Sequence, residues 1–310
     1  MLPNLIIPGA QKSGTTYLAQ LLSQHPDVFL PSVKEPAHFA ALNSPPLARK
    51  DGEPKRFAFA DRSEYEKLFQ TAGSHRYRMD ASTDYFSLPS VPKVIADEVY
   101  DAKIICVVRQ PVDRAYSAYL YHRQLEDTRS PSFDAALEEE ARVLADGKFA
   151  ISQPYLETGE YSKHIERWQE YFGRDNVLVV FFDDLRKDPQ GECDRVCNFL
   201  GLPSYIFTTD AEKNPSHRPL KGWRLFLLNA SRGNIRALAP ITAAARRVLS
   251  AELRNQIRDF YVTRYRYQYT CGFDQEEMLQ ELPPTLKRDL TDHLYAKYWE
   301  VESMKFWRIL

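Results

Sequence analysis

Lys12 stands in Ile6-Ile7-Pro8-Gly9-Ala10-Gln11-Lys12-Ser13-Gly14-Thr15-Thr16-Tyr17, between glycines and beside serine and threonine. An ammonium, small residues and hydroxyls in so short a run are the equipment for holding phosphate. Gly9 and Gly14 let the backbone approach a ligand closely. The amides of Ser13 to Thr16 would point at an anion placed at the start of a helix. The plainer reading is a strand–helix turn with a solvent lysine. The run is not a nucleoside triphosphatase loop, which puts Gly directly before Lys after a longer glycine-rich stretch. Here Gln11 precedes Lys12 and Gly14 follows it.

Arg109 offers a second anion subsite. It ends the apolar run Lys103-Ile104-Ile105-Cys106-Val107-Val108. Ser117 falls about two turns into the helix that should follow, so strand end and helix can converge on one group; Arg114 is also near. Alone, Arg109 reads equally well as a surface arginine at a strand end. Together with the first loop it suggests a ligand with two separated phosphates.

These groups need a scaffold. Leu5-Ile6-Ile7 reads as a short buried strand broken by Pro8-Gly9. A helix then runs from near Gly14-Thr15, with Leu18, Leu21 and Leu22 on its core face, and stops at His25-Pro26. Residues 41 to 61 read as a surface loop, followed by a short helix at Tyr65 to Phe69 and a strand at Tyr77 to Asp80. The apolar run before Arg109 suits a central parallel strand covered on both faces, and Pro111 suits the first turn of the next helix. Helices are expected at Phe133 to Leu144 and Tyr161 to Tyr171, a strand at Asn176 to Phe181, and a helix over 189 to 200 closed by Gly201. Strands alternating with helices argue for an α/β fold with one parallel sheet between helical layers. From about residue 220 the chain reads as more helical, apart from Tyr265-Arg266-Tyr267-Gln268-Tyr269, which alternates like a strand.

The 310 residues suit one large α/β domain or two small ones, with 44% hydrophobic and 27% charged. A net charge of -1 gives no global positive field and so no pointer to nucleic acid. Cys106, Cys193 and Cys197 read as structural thiols, with no further ligands nearby for a metal. No signal peptide or membrane anchor is visible, so a cytoplasmic protein is expected.

At these residues the chain resembles the sulfotransferases that use 3'-phosphoadenosine 5'-phosphosulfate (PAPS). Their phosphosulfate loop, PxxKSGTTxL, is similar to Pro8 to Leu18, with one extra residue before Lys12. Their 3'-phosphate motif, a strand and then Arg-x-Pro-x-x-Arg-x-x-Ser, is similar to Val107 to Ser117. The branch of Golgi heparan sulfate sulfotransferases and their bacterial relatives is more similar still. Lys34-Glu35-Pro36-Ala37-His38-Phe39 resembles its KE-x-HFF segment, and Asp80-Ala81-Ser82-Thr83-Asp84-Tyr85-Phe86 its E-x-SP-x-YF segment. Gly159-Glu160-Tyr161, Trp168, Phe181 to Leu185 and Phe199 to Leu202 also fit. The resemblance covers residue 5 to about 220.

It implies a P-loop-type three-layer fold, a single sulfotransferase domain over 1–310, and sulfuryl transfer from PAPS to an acceptor hydroxyl, leaving 3'-phosphoadenosine 5'-phosphate (PAP). Lys12 would contact the 5'-phosphate and bridging oxygen. The loop Gln11, Ser13, Gly14, Thr15 and Thr16 would hold the 5'-phosphate, and Arg109 and Ser117 the 3'-phosphate. Glu35 matches the branch's general base. His38 and His217 are the other candidates, His38 equally suiting a packed histidine. Arg218 and Lys221 lie where the family has a loop over the donor, and read equally as solvated charges. The lysine that heparan enzymes often carry before the Ser of E-x-SP-x-YF is Ala81 here, which weakens the transfer of the heparan mechanism and substrate. The acceptor stays open among saccharide, small alcohol, phenol, lipid and carrier-tethered hydroxyl. A nucleotide-dependent kinase and a non-catalytic nucleotide-binding protein are the alternatives.

Overall fold

The computed structural model describes residues 1–42, 59–99, 101–124, 130, 132–145 and 155–209. Arg218, His217, Lys221, the 265–269 segment and the more helical C-terminal part lie outside the described residues, as does most of the 41–61 loop. In chain order the elements are β1 (Leu5–Gly9), α1 (Thr15–Leu22), β2 (Val28–Phe29), α2 (His38–Ala41), α3 (Arg62–Lys67), β3 (Tyr77–Asp80), α4 (Val91–Glu98) and β4 (Lys103–Val108). They continue with α5 (Pro111–Gln124), α6 (Phe133–Ala145), α7 (Tyr161–Phe172), β5 (Val177–Phe181), α8 (Phe182–Lys187) and α9 (Pro189–Leu200).

The strands form one parallel sheet in the order β2-β3-β1-β4-β5. Both faces are covered, as the continuous apolar runs require. Ile6, Ile104, Cys106 and Val108 pack under α4 and α7, with Phe86 and Trp168. Leu5, Ile7, Ile105, Val107 and Val180 pack under α1 and α9, with Leu18, Leu22, Val196 and Leu200. Neighbouring residues of a strand therefore feed opposite layers, the period-two rule applied to a two-sided sheet. A third cluster, Val112, Tyr116, Tyr119, Phe133 and Tyr155, joins α5 to α6 away from the sheet. Cys193 and Cys197 are buried in α9 and Cys106 in β4. Among the described residues no helix is long and apolar enough to cross a membrane.

The elements follow the sequence reading in outline, but α2 and α4 were not expected from it, and three further differences have a local cause. The first helix stops at Leu22, before His25-Pro26, because the Gln24 and His25 amides turn back to Leu21 and Leu22 at 3.0 Å each. The helix expected at Tyr65 to Phe69 begins at Arg62, because the Asp61 side chain caps it by accepting from the Glu64 amide at 3.1 Å. β2 has two residues, too few to show a period, and its pairing with β3 supplies what its sequence lacks.

The register sets one functional edge. Gly9 pairs with Cys106, and Val108 with Phe181, so β1, β4 and β5 release their chains together. The chain runs from β1 through β2 and β3 to one side, and then through β4 and β5 to the other. The switch beside β1 is where open parallel sheets bind ligands.

Candidate active site

The loop from Ala10 to Gly14 leaves β1 at that switch. Its course is set by the Ala10 amide, which donates to the Val107 carbonyl at 2.7 Å, and the Ser13 amide, which donates to Ala10 at 3.2 Å. Lys12 takes the left-handed conformation, with φ 66. Gly14, at φ 90, begins α1 and offers no side chain to cap it. The first amide of that helix bonded within it is that of Leu18, to the Gly14 carbonyl at 3.1 Å. The amides of Thr15 to Tyr17 precede it, so the helix start is arranged to receive an anion. The Ser13 hydroxyl is fully buried, with the Tyr161 hydroxyl as its neighbour.

Gly14 also marks a close approach. A β-carbon there would stand 2.6 Å from Cδ2 of Phe182, the first residue of α8. Phe182 in turn lies under the Arg109 guanidinium, 5.0 Å from the ring centre. The loop after β1, the end of β4 and the start of α8 are thus one packed unit. Gly14→Ala should destabilise the protein by about 1–3 kcal/mol, combining the left-handed penalty with displacement of Phe182. Urea unfolding measures this, and unchanged stability would contradict that packing.

Arg109 is nearly enclosed, with its side chain 12% exposed and Asp113 Oδ2 at 4.0 Å from its guanidinium. That distance is beyond a hydrogen bond, and Nε is buried without a partner among the described residues. Burial holds the Arg109 pKa below its ordinary value, against the opposing pull of Asp113 and Asp183. A buried guanidinium so incompletely satisfied suits an anionic ligand. Tyr161, anchored by its hydroxyl on the Arg109 carbonyl at 2.7 Å, fixes the strand end from the α7 side.

Helix α5 connects the two cationic points. Asp113, Ser117 and Tyr121 follow at one-turn intervals on one face. Asp113 faces Arg109, while the Tyr121 ring lies 4.6 Å from Lys12 Nζ. Half-buried Ser117 sits between them on that face. Gln11 turns toward the same helix, where its side-chain oxygen accepts from His122 at 3.3 Å. Half-buried Thr16 and buried Thr15 occupy the first turn of α1.

Arg114, the second arginine of the 3'-phosphate motif, turns inward. It is fully buried, donates to the Tyr155 carbonyl and is drawn electrostatically to Glu140. Glu140 accepts from the amides of Tyr155, Leu156 and Glu157, so this pair ties α5 and α6 to the chain entering α7. The motif's second arginine supports the scaffold.

Glu35 lies on the rim, 48% exposed, with Lys34 Nζ at 2.5 Å from its carboxylate. Lys34 also donates to the Ala81 carbonyl at 3.1 Å. Thr83 reaches Glu35 at 3.5 Å, and the Thr83 carbonyl lies 3.4 Å from where a Gly9 β-carbon would be. One residue therefore links the rim carboxylate to the base of the loop.

His38 is not on that rim. It is 1% exposed, stacks on Tyr65 with ring centres 4.3 Å apart, and donates from Nδ1 to the Phe59 carbonyl at 2.7 Å. Burial lowers its pKa from the ordinary value. Among the described residues this favours the packed-histidine reading of His38 over that of a base.

Residues 2–221 match the family profile described as "Sulfotransferase domain". The mouse bifunctional heparan sulfate N-deacetylase/N-sulfotransferase 4 is 30% identical over 269 residues, covering 82% of this chain and 29% of that protein. The mouse heparan sulfate glucosamine 3-O-sulfotransferase 3B1 is 30% identical over 262 residues, covering 84% of this chain and 60% of that protein. The chain thus spans only part of the length of these relatives. A crystallised sulfotransferase from Alicyclobacillus acidocaldarius superposes with a TM-score of 0.59 at 28% identity, covering 78% of this chain and 96% of that one.

Proposed function

We infer that this chain, which belongs to the sulfotransferase family, moves a sulfuryl group from PAPS to a hydroxyl or amine of an acceptor. The observation that carries this reading is the pair of cationic points, Lys12 and Arg109, at the ends of neighbouring strands with the Ser117 face between them. A cationic point at each end of that helix face suits a nucleotide bearing phosphates at both its 3' and 5' positions. When bound, PAPS supplies the activated sulfate–phosphate anhydride.

The chain's residues do the rest by placement and charge. The amides at the start of α1, with the hydroxyls of Ser13, Thr15 and Thr16, hold the 5'-phosphate. Arg109 and Ser117 hold the 3'-phosphate and fix the register of the nucleotide. Lys12, on the 5' side, neutralises negative charge that grows on the departing phosphate. Glu35 accepts the acceptor's proton as its oxygen or nitrogen attacks in line. The kinase alternative is set aside with the family match.

For the acceptor we favour an amino sugar. The curated relatives are named for N- and 3-O-sulfation of heparan sulfate, so an amine and a hydroxyl are both in range. The test is mass spectrometry after incubation with PAPS and either N-desulfated heparan oligosaccharides, heparosan oligosaccharides, 4-nitrophenol or octanol. A mass gain of one sulfate on the saccharides alone supports the reading, and transfer only to the phenol or alcohol replaces the saccharide assignment.

Donor binding is tested separately by calorimetry with PAP. Arg109→Gln should weaken PAP by about 10- to 100-fold, the loss of a charge-assisted pair at roughly 1.5–3 kcal/mol. Adenosine 5'-phosphate, lacking the 3' group, should bind both proteins alike. Equal PAP affinity in the variant would remove Arg109 from the 3' subsite.

A further inference from the structure

The segment carrying Glu35 is held against the chain leaving β3, and its contacts converge on one buried carboxylate. Asp80, the last residue of β3, is fully buried. It accepts hydrogen bonds from Ser82 at 2.5 Å, Tyr65 at 2.6 Å and Tyr85 at 2.9 Å. A hydroxyl whose proton is committed to Asp80 has its lone pairs left to accept. Two of these oxygens do so: Ser82 Oγ takes the Ala37 amide at 2.9 Å, and the Tyr85 hydroxyl takes the Phe39 amide at 3.3 Å. Lys34 on the Ala81 carbonyl and Thr83 beside Glu35 complete the template. Ala37 needs such support, because it is a β-carbon residue at φ 56, where only outside contacts keep it.

We propose that Asp80 is a positioning residue for transfer, fixing the Ala37 and Phe39 amides through Ser82 and Tyr85 and so setting where the Glu35 carboxylate stands. The proposal rests on Glu35 being the base. Burial pushes the Asp80 pKa up, and the three hydroxyls counter that by favouring the carboxylate. An acceptor-only group orients all three hydroxyls at once. An amide there would bring N–H donors and reverse at least one hydroxyl, costing the loop one of its anchors.

Asp80→Asn disturbs three buried hydrogen bonds at once, so Ser82→Ala, which removes the Ser82 bonds to Asp80 and to the Ala37 amide and leaves Tyr65 and Tyr85 on Asp80, is the principal variant. Turnover is read with whichever of the four acceptors above gives the highest rate, alongside PAP affinity. Ser82→Ala should lower kcat at least tenfold with the PAP Kd within about twofold of the parent. In a Glu35→Gln background the same change should cost less than twofold, since its effect runs through a carboxylate no longer there. Unchanged kcat in Ser82→Ala, or an equal loss in both backgrounds, would overturn the coupling. Full turnover of Glu35→Gln alone would instead remove the base assignment beneath it, a result read without any Ser82 variant.

Discussion

Lys12→Met is expected to lower kcat by about 10²- to 10³-fold, the range for removing one preorganised group that meets developing charge. PAP affinity should fall by no more than about tenfold, because the α1 amides, Arg109 and Ser117 remain to hold the nucleotide. The separation of the two effects is the informative part. Lys12 takes up φ 66, a conformation a non-glycine residue keeps only when its surroundings impose it. Those surroundings are the Ala10 and Ser13 bonds on one side and the Gly14–Phe182 packing on the other. With the backbone so held, the side chain lies beside the Tyr121 ring, against α5. An ammonium presented from a fixed stem gains most when negative charge accumulates, which happens in the transition state. Pre-steady-state product formation and PAP calorimetry on the same variant measure the two quantities. A loss confined to PAP affinity, with kcat intact, would reduce Lys12 to a binding residue.

What was legible in the sequence is what local patterning controls. The apolar run before Arg109 and the Gln–Lys–Ser–Gly–Thr loop each announce themselves within a few residues, and β4, α1 and α5 lie where those patterns place them. Residues whose roles come from distant partners were less legible. Arg114 sits in the same short motif as Arg109, but Glu140 and the Tyr155 carbonyl turn it inward, and nothing near Arg114 in the sequence signals that. His38 follows Glu35 closely, but Tyr65 and Phe59 decide that its ring is core. Asp80 stands out in sequence only as a shorter acid at the place of Glu in the E-x-SP-x-YF segment it resembles. Its importance comes from Tyr65, Tyr85 and Ser82 meeting on it, a tertiary event that periodicity does not encode. Phe182 gives no sign in sequence that it packs between Gly14 and Arg109.

Glu35→Gln should lower kcat by about 10²- to 10⁴-fold, the usual span for removing a general base. Its geometry argues for a group held ready at the mouth of the site. Lys34 at 2.5 Å pairs with one carboxylate oxygen, and Thr83 lies 3.5 Å from the other. An exposed ion pair of this kind adds little stability, commonly under about 1 kcal/mol, so the variant should fold and melt like the parent. Glutamine keeps the size and an acceptor oxygen but cannot take a proton at neutral pH, so binding of PAP should be unchanged while the chemical step slows. The neighbour offers an internal control. Lys34→Met removes the cation that competes for the carboxylate and the anchor on Ala81, but leaves a base in place. Its kcat should therefore exceed that of Glu35→Gln by at least tenfold. Single-turnover rates with saturating PAPS compare the variants directly. If Glu35→Gln and the parent turn over alike, the acceptor proton leaves by another route and Glu35 has no part in transfer.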